Sequence, residues 1–155
     1  MTQPIEQQNI RIKKEMKVLF GIVILVMASC SGQNNSDIDL KNNPQTWKLV
    51  KMTGSLQHSE TTGNEMAWQE QILLSNGSFE KIRIENGQST KVTGSYEFSE
   101  ESDGPYLILK FTSSSELIGN CTGNLMEYYR VLPNDKLQGT WLACDGPDLE
   151  YDLIN

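Results

Sequence analysis

Two Asn-Gly dipeptides do most to limit the folds open to this chain. Asn76-Gly77 stands between "QILLS" and "SFEKIRIE", and Asn86-Gly87 stands between that second run and "STKVTGSYEFS". Both residues of Asn-Gly accept the positive φ of a type I′ turn, so the pair between strand-like runs specifies a tight antiparallel hairpin. Three successive runs therefore become neighbours in one sheet. Strand patterning continues on both sides. "TWKLVKMT" sets Trp47 and Leu49 against Lys48 and Val50, and "MAWQEQILLS" follows a polar loop. "EESDGP" turns the chain into "YLILKFTS", where Leu107, Leu109 and Phe111 share one face. "NLMEYYRVL", the turn "PND" and "KLQGTWLAC" come next, and "DGP" leads into a last run, "DLEYDLI".

These eight candidate strands, mostly joined by short turns, predict an all-β fold. The expected architecture is a single antiparallel up-and-down barrel of about eight strands, because closure removes the exposed edges that invite aggregation. A two-sheet sandwich is the alternative, but it needs longer connections than most of those present. The long ones are the loop around His58 and residues 113–123. Lys and Glu recur within the strands and interrupt any lipid-facing band, which argues against a membrane-spanning barrel.

The N-terminal region has a different character. Arg11, Lys13, Lys14 and Lys17 precede an apolar run from Val18 to Ala28, which ends in Ala28, Ser29 and Cys30. A membrane-spanning helix needs roughly 20 apolar residues, and this run is too short. It suits the h-region of a secretory signal. The arrangement resembles a bacterial lipoprotein signal, in which the cysteine becomes the lipid-bearing N-terminus; Met27 stands where Leu is usual. The expected organisation is a lipoprotein signal peptide at residues 1–29, with Met16 as an alternative start, then a polar tether at 30–45 and a barrel domain at 46–155. An ordinary signal peptide with an incidental cysteine is the competing reading. Lipidation at Cys30 would anchor the protein to a membrane of the cell envelope. Ser31 does not resemble the Asp of an inner-membrane retention signal, so the outer membrane is the expected address.

The chain is acidic, with a formal net charge of −7. Loss of the signal would remove more basic than acidic side chains and leave it more acidic still. Such a surface repels phosphate backbones, so nucleic acid is not an expected partner. The length beyond Trp47 suits one small domain, expected as a monomer. With Cys30 assigned to lipid, Cys121 and Cys144 remain, an even remainder in an exported chain, where disulfides persist. Their midpoint falls between Leu132 and Pro133 beside the "PND" turn, so a hairpin would bring them opposite each other. A disulfide is expected over two free thiols.

The lipoprotein-type signal, Trp47 in the first strand ("TWKLV"), the "NGSF" hairpin, "TGSYEF" and the terminal "CDGP…Y" together resemble the lipocalin-like lipoproteins of Gram-negative bacteria. The resemblance spans Trp47 to Tyr151. It implies an eight-stranded barrel closed at one end, with the first-strand Trp packed there. Gln45 stands where lipocalins carry a Gly two residues before that Trp, and no helix follows the last strand.

Chemistry-bearing patterns are sparse. His58, the lone histidine, lies in a polar loop, and no Gly-x-Ser-x-Gly turn presents a nucleophile. Glu100, Glu101 and Asp103 lack an EF-hand spacing, and Asp145 reads as a turn residue. Neither an enzyme nor a bound metal or cofactor is expected. Alternation instead nominates Tyr96, Phe111, Tyr129 and Trp141 as walls of a site for a small hydrophobic ligand. Gly139 would leave room beside the Trp141 indole. The competing reading is a barrel filled by those aromatics, acting as a protein-interaction or inhibitor module. An acidic module of that kind would attract a basic partner.

Overall fold

A computed structural model describes residues 44–56 and 58–155. The proposed signal peptide, Cys30 and nearly all of the proposed tether lie outside the described residues. Nine strands follow in chain order: β1 (Gln45–Thr53), β2 (Glu60–Thr62), β3 (Gln69–Ser75), β4 (Ser78–Glu85), β5 (Gln88–Glu101), β6 (Gly104–Phe111), β7 (Met126–Leu132), β8 (Lys136–Gly139) and β9 (Asp148–Leu153). Every pairing is antiparallel, each of β3 to β9 lies beside its sequence neighbour, and β1 pairs with both β3 and β9. The ring is therefore a closed up-and-down barrel of eight strands. β2 is an addition that sequence patterning did not reveal. It pairs with the end of β1, Lys51 to Thr53, where β3 no longer reaches.

The Asn-Gly turns form as their chemistry requires. Asn76 and Gly77 have φ of 51° and 78°, and Asn86 and Gly87 have φ of 51° and 77°. Each two-residue loop fixes a register, Ser75 opposite Ser78 and Glu85 opposite Gln88. At the "PND" turn, Asn134 and Asp135 also adopt positive φ, and Leu132 faces Lys136. One register shift occurs between β1 and β9, at Leu49/Lys51. It lets both Leu49 and Met52 face the core.

The lower barrel is packed with apolar side chains. Trp47, Leu49, Ile72, Leu74, Leu107, Leu109 and Leu137 are fully buried. Gln45, in the position where lipocalins carry Gly, is itself buried, and its side-chain oxygen accepts the Trp47 indole N–H at 3.2 Å. Gly94 is the point on which β4, β5 and β6 close together. It lies opposite Phe79 on β4 and Phe111 on β6, whose rings meet edge to face at 4.9 Å. A Cβ at Gly94 would stand 2.0 Å from the Lys110 carbonyl oxygen and 2.6 Å from the Phe79 ring. Backbone cannot give way as a flexible side chain can, so Gly94→Ala should destabilise the barrel by several kcal/mol, in the range of severe core defects. A urea-unfolding midpoint close to that of the unaltered protein would contradict this packing.

Candidate functional site

Above the apolar layer the interior becomes ionic. β3 and β4 are register-locked by Asn76-Gly77, so Leu74 and Phe79 face inward together, and alternation then carries Glu70, Lys81 and Arg83 to the same face. From the far wall, β7 contributes Glu127 and Tyr129, and β9 contributes Tyr151. The Lys81 ammonium donates to both Glu127 carboxylate oxygens at 2.8 Å, to the Tyr129 hydroxyl at 3.1 Å and to the Leu117 carbonyl at 3.0 Å. It also stands 3.1 Å from Glu70. Glu70 in turn accepts the Tyr151 hydroxyl and, at 2.7 Å, the Arg83 Nε–H. The two carboxylates thus balance two cations.

Lys81, Tyr129 and Tyr151 have no exposed surface. Burial pushes the Glu127 carboxyl above its ordinary value despite the attraction of Lys81, with repulsion from Glu70 adding to the rise. Burial, reinforced by the two carboxylates, holds both tyrosine hydroxyls well above the usual range. None of these groups is open to a substrate. Their chemistry is to tie β3, β4, β7 and β9 together across the barrel axis.

A cap closes much of the upper end. In the segment between β6 and β7, Leu117 is buried and its carbonyl receives Lys81, while the Gly119 N–H donates to Glu127 at 3.2 Å. The Asn120 amide donates to the Asn124 and Met126 carbonyls, both at 2.7 Å. The Cys121–Cys144 disulfide, with Cα atoms 5.5 Å apart, fastens the cap to the chain between β8 and β9. Both cysteines lie beyond the ends of the β7–β8 hairpin, not on its strands.

Beside the cap a cavity of about 250 Å³ remains. Arg83 and Leu117, both buried, form its floor, while Glu85, Gln88, Thr90 and Glu116 form an exposed rim. The Arg83 guanidinium stacks 4.2 Å from the centre of the Trp68 ring. Its Nη2 and the Trp68 Nε1 are both buried, and neither has a hydrogen-bond partner among the described residues. An unmet buried donor costs about 1–3 kcal/mol.

The four nominated aromatics do not converge. Phe111 is committed to Phe79, and Tyr129 to Lys81 and an edge-to-face contact with Tyr151 at 5.4 Å. Tyr96 is half-buried against Phe98 at 5.9 Å. Trp141 is not on a strand at all. β8 stops at Gly139, and Trp141–Cys144 forms a 3-10 turn. The glycines that make room for its indole are Gly119 and Gly146, where a Cβ would meet the ring at 2.8 and 2.3 Å, and not Gly139, which lies against Leu149. Leu125, two residues before Glu127, precedes β7 and is 41% exposed. Sequence reasoning missed Glu70, Lys81, Arg83 and Glu127, because charged residues in strands read as a solvated face.

His58 sits exposed in its loop. In the acidic turn, Asp103 accepts from Tyr106 and Arg130, and these bonds hold its carboxyl below the usual range. Asp145 takes a left-handed conformation, with φ of 67°, as the last residue of its turn. No group of three or more His, Cys, Asp or Glu side chains suited to a metal occurs among the described residues. Comparison of the chain with protein-family models, curated proteins and solved structures yields no match.

Removing the central cation should leave Glu127 without a cationic partner, and Glu70 with Arg83 alone. Lys81→Met is expected to cost about 3–5 kcal/mol at pH 7, the usual penalty for breaking a buried pair. The sign with pH follows from Glu127, whose folded-state carboxyl already lies above the ordinary 4.5 and would rise further without Lys81. A raised carboxyl favours the folded state most below its unfolded value, and that advantage is lost as pH rises. The deficit of the variant should therefore shrink between pH 7 and pH 5 in urea titrations. A deficit independent of pH would reduce the role of Lys81 to packing.

Proposed function

We propose that this protein is a lipid-anchored, non-catalytic binding module of the Gram-negative envelope, with recognition at the upper mouth of the barrel. The barrel is the common ground with the lipocalin-like lipoproteins that the sequence resembles. The observation that carries the reading is the filled interior. Side chains of β3, β4, β7 and β9 meet across the axis around Lys81, where an internal ligand would otherwise sit. The cavity beside the cap opens instead among polar rim residues.

A small hydrophobic ligand inside the barrel is less favoured. Phe111 and Tyr129 would have to abandon Phe79 and Lys81 to receive it. The anchor rests on Cys30 and the basic and apolar stretch before it, and Ser31 favours the outer membrane. A monomer is sufficient for this role, and the acidic charge directs the module away from nucleic acid and toward partners carrying positive charge.

Native mass spectrometry of the protein purified in mild detergent from a Gram-negative host tests the proposal. The expected mass is that of a chain beginning at Cys30 with palmitate-type acyl chains, and no further apolar molecule. The Cys30→Ala variant should lack the acyl mass. Equal acyl mass in that variant would overturn the anchor, and a retained apolar molecule released on unfolding would overturn recognition at the mouth.

A further inference from the structure

The mouth cavity has a chemical character that its residues define, and an inference about its ligand rests on the reading above. At the floor, Arg83 is only 7% exposed, yet its Nη2 finds no acceptor among the described residues. Its Nε is already held by Glu70, and the Trp68 ring covers its face. The guanidinium is therefore fixed in place with one donor group uncommitted. The neighbouring Trp68 Nε1 is a second uncommitted donor. Buried donors of this kind are rare in folded proteins and call for an acceptor.

The surroundings limit what that acceptor can be. The charges beneath Arg83 already balance, with Glu70 and Glu127 against Lys81 and Arg83. A carboxylate or phosphate would add an uncompensated negative charge next to two buried carboxylates. At the rim it would also pass Glu85 and Glu116, both exposed and without an ion pair among the described residues. A neutral carbonyl oxygen meets the donor without adding charge. The rim carboxylates are placed to receive a cation, and the Leu117 floor offers apolar contact for a small aliphatic group. The volume, about 250 Å³, lies below the range of roughly 300–1,000 Å³ typical of drug-sized ligands, so the guest must be small.

We propose that the mouth binds a short peptide or amino-acid amide, its carbonyl oxygen accepting from Arg83 and its ammonium group lying between Glu85 and Glu116. The full chain in mild detergent, titrated with L-alanyl-L-alaninamide and followed by the indole N–H signals of its tryptophans in NMR, tests this. The Trp68 signal should move saturably, while that of Trp47, bonded to Gln45, stays still. Substitution of Arg83 would also break its buried bond to Glu70, so the decisive variant is the exposed Glu116→Gln, expected to weaken binding about fivefold, as for a partly exposed ion pair. N-acetyl-L-alanine, which lacks the cation and carries a carboxylate, should leave the Trp68 signal unmoved. Three results would each overturn the proposal: no saturable shift with the dipeptide amide, equal binding of N-acetyl-L-alanine, or unchanged affinity in Glu116→Gln. If mass spectrometry meanwhile finds no apolar molecule inside, such a failure removes this ligand and leaves the filled-barrel reading standing.

Discussion

The Lys81 ammonium is the constraint around which the barrel is built. A fully buried cation is tolerable only when its charge and its donors are met at once. Here Glu127 and Tyr129 from β7, Glu70 from β3 and the Leu117 carbonyl from the cap all meet it. Tyr151 of β9 completes the shell by bonding Glu70. Because a one-residue slip would turn these side chains outward, the cluster specifies register on both sides of the barrel. Its net contribution to stability need be no larger than that of an apolar core of equal volume. The penalty for disturbing it is large.

The same cluster explains why closure at the top is coupled to the interior. The segment between β6 and β7 is long and irregular, and such segments usually lie outside a fold. This one delivers Leu117 and the Gly119 amide to Lys81 and Glu127, so its backbone groups are met inside. The Asn120 clamp and the Cys121–Cys144 bridge then hold it down. Arg83 extends the ionic layer to the floor of the mouth cavity, and its Nη2 and the neighbouring Trp68 Nε1 are the buried side-chain donors without a partner among the described residues.

Much of the barrel was legible in the sequence because its turns are chemically explicit. Asn76-Gly77, Asn86-Gly87 and "PND" mark three hairpins, and each of the eight ring strands follows from the patterning between such signals. The disulfide was legible for a related reason, since its cysteines are nearly equidistant from one turn. The candidate site was not legible in the same way. In "SFEKIRIE" the charged residues read as a solvated face, yet Lys81 and Arg83 point inward and Ile84 is 49% exposed. The signal was nevertheless present. Across a two-residue turn Leu74 must face the same way as Phe79, and parity then carries the cations inside. Trp141 misled for the opposite reason. Local alternation extended β8 past Gly139, whereas packing of the indole against Gly119 and Gly146 bends the chain into a turn.

The central claim is that the interior is filled and dry around Lys81, and the exchange of its ammonium protons reports on that directly. Exposed lysine ammonium protons exchange with water too fast to be seen by proton–nitrogen correlation NMR at neutral pH. A sealed Lys81, held by Glu127, Tyr129 and the Leu117 carbonyl, should give one slowly exchanging ammonium signal, absent in Lys81→Met. If every lysine exchanges at the rate of the surface, water reaches the cluster and the barrel encloses an open cavity instead of a closed ionic core.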